Sequence, residues 1–341
     1  MDDEHTAGGR TGQEQLLALI RPDMEQVEAA MRADLAGLAE DLAPLLREIL
    51  DYGLFNGGKR IRPLLTIMSW RLCNGQSGEI ERLAMAFEYL HAATLFHDDV
   101  IDRADLRRGR AAVNVAYGEV GAILAGDFLH ARAMALVGEL GGVKALTVFC
   151  RATAAMIDGE FLQLANALEM NLSEENYFAV IQGKTAHLIA AACEIGGLAA
   201  GADPAQCQGL HRYGLNLGAA FQIIDDLLDY QGDSRATGKA VGNDFVEGKM
   251  SLPLILALQM ASPADRQRLL GLLNDQESRR AGVGEATAIM EQSGAFAGTR
   301  RRAEALIQEA WGELPEAHGQ GAATARQALA LLGGYVLSRQ K

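Results

Sequence analysis

Apolar residues recur three and four positions apart along most of the chain, the period of helices that bury one face, and strand-like alternation is scarce. From Glu14 to Asp51 this pattern predicts two packing helices, with Pro22 and Pro44 near their starts. A glycine-marked break over 52–58 precedes a helix over 62–73 and a turn over 74–78. Leu83 to Phe96 reads as a helix of small and apolar residues that ends in aspartates. A basic loop over 107–114 follows, then helices over 118–140 and 143–167. Ser173 with Asn176 opens a helix that runs to about Ala200, and Asp203-Pro204 opens another that ends near Tyr230. The stretch 231–249, rich in glycine and charge, is expected to be a mobile loop that closes over a ligand. Four or five amphipathic helices complete the chain after Ser251, with a loop over 274–284. No linker divides the pattern, so one all-α domain is expected over 14–341, behind a disordered acidic tail over 1–13.

Composition narrows the function classes. Of 341 residues 49% are hydrophobic, enough for a large core, and seven prolines interrupt it. The net charge of −13 argues against nucleic acid as a partner, because no basic face is available to match phosphates. Positive charge is local instead, at Lys59-Arg60-Arg62 and at Arg103-Arg107-Arg108-Arg110, which suits a small anionic substrate. Cys73, Cys150, Cys193 and Cys207 form no C-x-x-C pair and read as reduced, packed thiols. The N-terminus has neither an apolar signal core nor the arginines of a transit peptide, and no uninterrupted apolar run of membrane length is seen. A cytoplasmic protein without a membrane span is expected.

The chemistry gathers at two acidic clusters. Asp98-Asp99-x-x-Asp102 ends one apolar helix and Asp225-Asp226-x-x-Asp229 ends another. Carboxylates four apart share a helix face, with Cβ atoms roughly 5–6 Å apart. Such a pair can share divalent ions, and oxygen-only donors favour Mg²⁺, which keeps positions open for a substrate's phosphates. The intervening chain is long enough for the two helices to face each other across a central cavity in a single large bundle. Gly57-Gly58 lets the backbone bend so that Lys59, Arg60 and Arg62 can converge on an anion. Gly183-Lys184-Thr185 is no nucleotide loop, because Phe178 stands where the Walker pattern requires glycine. His91, seven residues before Asp98, shares its face; alone it reads as a satisfied core histidine.

Together these motifs, with Arg107-Arg108-Gly109 and Phe221-Gln222, resemble the trans-prenyl diphosphate synthases, or polyprenyl synthetases, most closely their long-chain, octaprenyl-forming members. The resemblance implies the isoprenoid synthase fold, a homodimer, and condensation of isopentenyl diphosphate with an allylic diphosphate. It places Asp98 and Asp102 on two Mg²⁺ ions and Asp225 on a third, with Asp99, Asp226 and Asp229 in the outer shell. It gives Gly58, Lys59, Arg62, His91 and Arg108 to isopentenyl diphosphate, and Arg107, Lys184 and Lys239 to the allylic diphosphate, with Lys249 a further candidate. Thr185 and Gln222 would face the nascent cation. Ala93 and Thr94 occupy the positions that floor the product tunnel in this family. Both are small, so the tunnel is expected to continue towards Leu90 and Tyr89, with Met156 or Phe161 as deeper plugs. A hepta- to decaprenyl product for quinone side chains follows, and an amphiphilic product could bring the enzyme to a membrane surface.

Four other readings stay open: a short-chain synthase making farnesyl or geranylgeranyl diphosphate, a class I terpene cyclase, a noncatalytic partner subunit of a heteromeric synthase, and a metal-stabilised helical scaffold. A cyclase would mix Asn, Ser or Thr into the second acidic cluster, and a partner subunit need not keep both clusters, whereas this chain has both intact.

Overall fold

Buried faces that repeat with each turn explain why these segments are helical. In the computed structural model, which describes residues 3–76, 78–232 and 241–339 and the side chains from Gly12 onward, α1 (Asp3–Gly37) buries Leu16, Ile20, Val27, Met31 and Leu35. Helix therefore takes up most of the 1–13 stretch expected as a tail, and Pro22 lies inside α1, not at its start. The apolar stripe on both sides of the proline outweighs its missing backbone hydrogen bond. α2 (Pro44–Leu54) begins on its proline, as expected.

α3 (Ile61–Leu72) and α4 (Ile80–Ile101) follow. The basic loop folds as a hairpin, β1 (Leu106–Arg107) against β2 (Arg110–Ala111), whose turn residues Arg108 and Gly109 both have positive φ (52° and 78°). That is the backbone of a two-residue primed turn. After α5 (Val113–Tyr117), α6 (Glu119–Glu169) is broken at Gly142, where φ is 71°, which separates the two helices expected there. α6 is, by length and apolar composition, the one helix among the described residues that could cross a membrane, a candidate the sequence reading did not find. Leu129, Leu136 and Phe149 of α6 are nevertheless fully buried within the bundle core.

Ser173 caps α7 (Glu174–Ile181), but the expected continuous helix is interrupted by a π-helical turn at Gln182–Ala186 before α8 (His187–Ala199). Asp203 and Gln206 form a reciprocal capping box at the start of α9 (Pro204–Gln231). Within the predicted loop a helical turn, α10 (Asn243–Glu247), seats Phe245 in the core. The chain ends with α11 (Leu252–Met260), α12 (Pro263–Leu272), α13 (Gln276–Gln292), α14 (Ala295–Glu313) and α15 (Gln320–Ser338). α13 covers the stretch 274–284 expected as a loop, because Asp275 caps it by accepting from the Ser278 amide at 2.8 Å. α4 packs along α6, and α8 lies between α3 and α9, so both acidic helices face one interior.

Arg60 departs from its expected place beside Lys59 and Arg62. Its backbone is left-handed (φ 46°) at the N-cap of α3, and its guanidinium turns inward to Glu88 (2.5 Å) and the Leu54 carbonyl (2.7 Å). Both side chains of this pair are only 5% exposed, so removing one partner strands a buried charge, which costs about 3–5 kcal/mol. Glu88→Ala should therefore lower the urea midpoint markedly, and Arg60→Met with Glu88→Leu should recover most of the loss. An unshifted midpoint in the single variant would contradict this role for the pair.

Candidate active site

The two acidic clusters meet. A cavity of about 350 Å³ is lined by Asp98 and Asp102 from the end of α4 and by Asp225 and Asp226 from the last turns of α9, with Asp244 of α10 joining them. Arg107, Lys184 and Lys249 add positive charge to the same wall. Burial pushes the Asp98 carboxyl up to about 6, with Glu160 and Asp102 adding to the rise and Lys184 opposing it. Asp226, fully enclosed and close to Asp244, is pushed up to about 7 against the hydrogen bonds it receives from Gln222 and Tyr177.

The remaining acids are fastened elsewhere. Asp99 is buried and takes Arg107 Nε at 3.0 Å. Asp229 accepts the Asp244 amide at 3.0 Å and so anchors α10. Asp225 pairs with Arg339 (3.0 Å), which also lies 4.3 Å from the Phe221 ring centroid. Nothing in the sequence pointed to Arg339, because it stands more than a hundred residues from its partner.

A second, cationic wall surrounds His91. Burial holds this imidazole well below its ordinary range, and Arg62, Arg108, Arg107 and Arg60 push it further down, so it is neutral. Arg62 Nε is buried without a hydrogen-bond partner, the mark of a donor that lacks its anion. Arg108 donates to the Gly57 carbonyl, and a Cβ on Gly58, whose φ of 140° already favours glycine, would lie 2.9 Å from the Arg108 guanidinium and displace it. Lys59 donates to the Tyr335 hydroxyl. Lys239 lies outside the described residues.

The π-helical turn bulges Gly183-Lys184-Thr185 out of the helical ladder, a deformation frequent at functional sites. It also brings two backbones together. A Cβ on Gly159 would stand 2.5 Å from the Lys184 amide, and one on Gly183 would stand 2.9 Å from the Ala155 carbonyl. Lys184 Nζ pairs with Glu160 at 2.7 Å. Thr185 Oγ1 donates to Gln222 Oε1 at 3.1 Å, and Gln222 Nε2 donates to Asp226 Oδ1 at 2.9 Å. Tyr177, absent from the sequence reading, donates to Asp226 Oδ2 at 2.7 Å.

The cavity reaches His91 and Leu95, while Ala93 and Leu90 are buried in close-packed core and Thr94 Oγ1 is tied to the His91 carbonyl at 2.8 Å. Phe161 is 68% exposed and faces away from the core, which removes it as an interior plug.

Among the described residues no three acidic, cysteine or histidine side chains are close enough to hold an ion unaided. That suits Mg²⁺, which takes one or two carboxylates and fills its shell with water and phosphate. Burial raises both carboxyls across this cavity, with neighbouring acids adding to the rise, and a cation bound there would favour their charged forms.

The chain as a whole is similar to known proteins. A polyprenyl synthetase family model matches residues 43–290. The octaprenyl diphosphate synthase of Escherichia coli is 39% identical over 291 residues, 85% of this chain and 88% of that protein. The nonaprenyl diphosphate synthase of Mycobacterium tuberculosis is 36% identical over 98% of this chain and 97% of its own. A polyprenyl synthase from Caulobacter crescentus, crystallised with calcium and isoprenyl diphosphate, superposes with a TM-score of 0.86 at 36% identity, covering 96% of this chain and 98% of its own. The chain belongs to the polyprenyl synthetase family of prenyl-transferring enzymes.

The raised Asp98 carboxyl has a measurable sign. Because its folded pKa of about 6 lies above the ordinary carboxylate value, the carboxylate form weakens the metal-free protein, and the stability given by the protonated form is lost as pH rises through 6. Asp98→Asn should thus raise the thermal midpoint in EDTA clearly more at pH 8 than at pH 4.5. Equal gains at both pH values would show that burial is not the cause.

Proposed function

We propose that this enzyme extends an allylic diphosphate with isopentenyl diphosphate to a long-chain all-trans polyprenyl diphosphate, octaprenyl being the central expectation. The observation that carries this reading is the meeting of both aspartate clusters on one cavity whose wall continues into the cationic surround of His91. The fully acidic second cluster and that cationic wall favour a synthase over a cyclase, and the long-chain relatives favour a long product over a short one.

Asp98, Asp102 and Asp225 would hold the metal, which we take to be three Mg²⁺ ions. Bound there, it supplies charge that stabilises the departing diphosphate. Asp99, Asp226 and Asp229 orient this shell through the contacts described above. Arg107 and Lys184, with Lys239, grip the allylic diphosphate, for which Arg107 must loosen from Asp99 and Lys184 from Glu160. Gly58, Lys59, Arg62, Arg108 and neutral His91 receive isopentenyl diphosphate, its charge meeting the unpartnered Arg62 Nε. Thr185 and Gln222 turn oxygen towards the allylic cation as the carbon–oxygen bond breaks. The double bond of isopentenyl diphosphate then forms the new carbon–carbon bond, and the proton lost leaves to the diphosphate. Leu95 and the apolar part of the wall exclude water that would otherwise capture the cation.

A homodimer accords with the surface of α6, where Ile157, Phe161, Leu164 and Leu168 form an exposed apolar stripe at helical spacing, with Val120, Ile123 and Leu124 exposed further up the helix. Four free thiols accord with a cytoplasmic setting. Contact with a membrane would come through the product.

Incubation with Mg²⁺, isopentenyl diphosphate and farnesyl diphosphate should release diphosphate and yield elongated prenyl chains. Cyclic hydrocarbon would identify a cyclase, and an inactive purified chain a partner subunit or scaffold. Asp98→Ala and Asp225→Ala should each lower kcat at least about a hundredfold with unchanged circular dichroism; full activity in either refutes the metal assignment. Ala93→Phe should shorten the product, read by chromatography of the extracted chains, and Phe161→Glu with Leu164→Glu should yield monomers by light scattering.

A further inference from the structure

Tyr177 is fully enclosed, carries one polar atom, and spends it on Asp226 Oδ2 at 2.7 Å. Asp226 Oδ1 accepts from Gln222 Nε2 at 2.9 Å, and Gln222 Oε1 accepts from the Thr185 hydroxyl at 3.1 Å. The order of donors along this chain follows from chemistry. Both Asp226 oxygens are engaged as acceptors, one by Tyr177 and one by Gln222 Nε2, so the amide nitrogen of Gln222 faces Asp226 and its oxygen faces away. Thr185 then has to donate. A carbonyl oxygen has two lone pairs and Thr185 uses one, which leaves the other on the negative end of the Gln222 amide. Gln222 lines the cavity.

We propose that Tyr177 is a positioning residue that fixes the polarity of the Gln222 amide: through Asp226 it keeps the amide nitrogen turned aside and the oxygen available to positive charge in the cavity. It rests on the reading that an allylic cation forms beside Gln222. The benefit is preorganisation, since a dipole already aimed need not reorient as charge develops. Without the tyrosine hydroxyl, Asp226 keeps an unsatisfied oxygen that can turn towards other donors, and the amide loses the anchor that prevents it from reversing.

The test compares two probes by calorimetry in the Mg²⁺-loaded protein: an allylic diphosphate analogue with an ammonium at the reacting carbon, and the neutral thiolodiphosphate of the same chain length. Tyr177→Phe should weaken the ammonium probe about tenfold, the lower end for loss of an orienting partner, and leave the neutral probe within about twofold; kcat should fall by a similar factor with both KM values held. In a Gln222→Met background the same substitution should change neither probe, because the group it orients is gone. Equal weakening of both probes, or an effect that persists in Gln222→Met, would show a merely structural role and overturn the proposal. If Gln222→Met does not itself lower the preference for the ammonium probe, the cation assignment fails; if it does and Tyr177→Phe does not, this inference alone fails. Should Tyr177→Phe not fold, Asp226→Asn offers the same cycle, since an amide there can donate to Gln222 and reverse it.

Discussion

Everything in this structure answers to one unfavourable arrangement, in which carboxylates at the C-terminal ends of two long helices face each other across a shared, partly dry space. Burial imposes a desolvation penalty on these carboxylates, and neighbouring acids add to it. Asp98 and Asp226 register the result as carboxyls raised to about 6 and about 7. Cations stand close by, yet each is matched to an acid: Arg107 to Asp99, Lys184 to Glu160, Lys249 to Asp244 and Arg339 to Asp225. The cavity therefore keeps a demand for positive charge that its own side chains do not meet. A divalent ion answers that demand and, once bound, attracts a polyanion in turn.

The opposite wall carries the complementary surplus. Around His91 the nearest charges are arginines, and Glu88, which partly offsets the effect of burial on Arg62, is committed to Arg60. The two walls of one interior thus carry opposite signs of charge, which on the proposed reading would separate a metal-held diphosphate from one held by arginines. The backbone enforces the separation. The primed turn at Arg108-Gly109 sends neighbouring arginines to different partners, Arg107 to Asp99 and Arg108 to Gly57. Close contact through Gly159 and Gly183 presses the π-helical turn against α6, where Lys184 meets Glu160.

Helix type and the two acidic clusters were legible because periodicity and spacing report on a residue's own neighbourhood. What escaped the sequence depends on partners distant along the chain. Pro22 and the stretch 274–284 failed as boundary signals where tertiary burial or a cap at Asp275 overrode local propensity. Arg60 looked like an exposed anion binder because its buried partner is 28 residues away. A clue was present: Glu88 stands alone in the apolar run from Leu83 to Leu90, and a lone acid there requires an inward-turned cation. Tyr177 gave no such clue, since an aromatic at helical spacing is ordinarily core.

Product length, in contrast, belongs to the apolar wall. Burial of hydrocarbon is non-directional and favours growth by roughly 0.8 kcal/mol per CH₂, so charged groups at the rim cannot stop a chain that still has room. Small side chains at Ala93 and Thr94 leave no bulky stop near the first aspartate. One turn further, Tyr89 is fully buried and donates to the Met31 carbonyl (3.3 Å) and to Asp34 (3.1 Å), itself held by Arg132 Nε at 3.2 Å. A hydrocarbon pushing past Tyr89 would have to break its hydrogen bond to Asp34, which Arg132 continues to hold. Tyr89 is thus where the buried apolar face of α4 first meets a polar network.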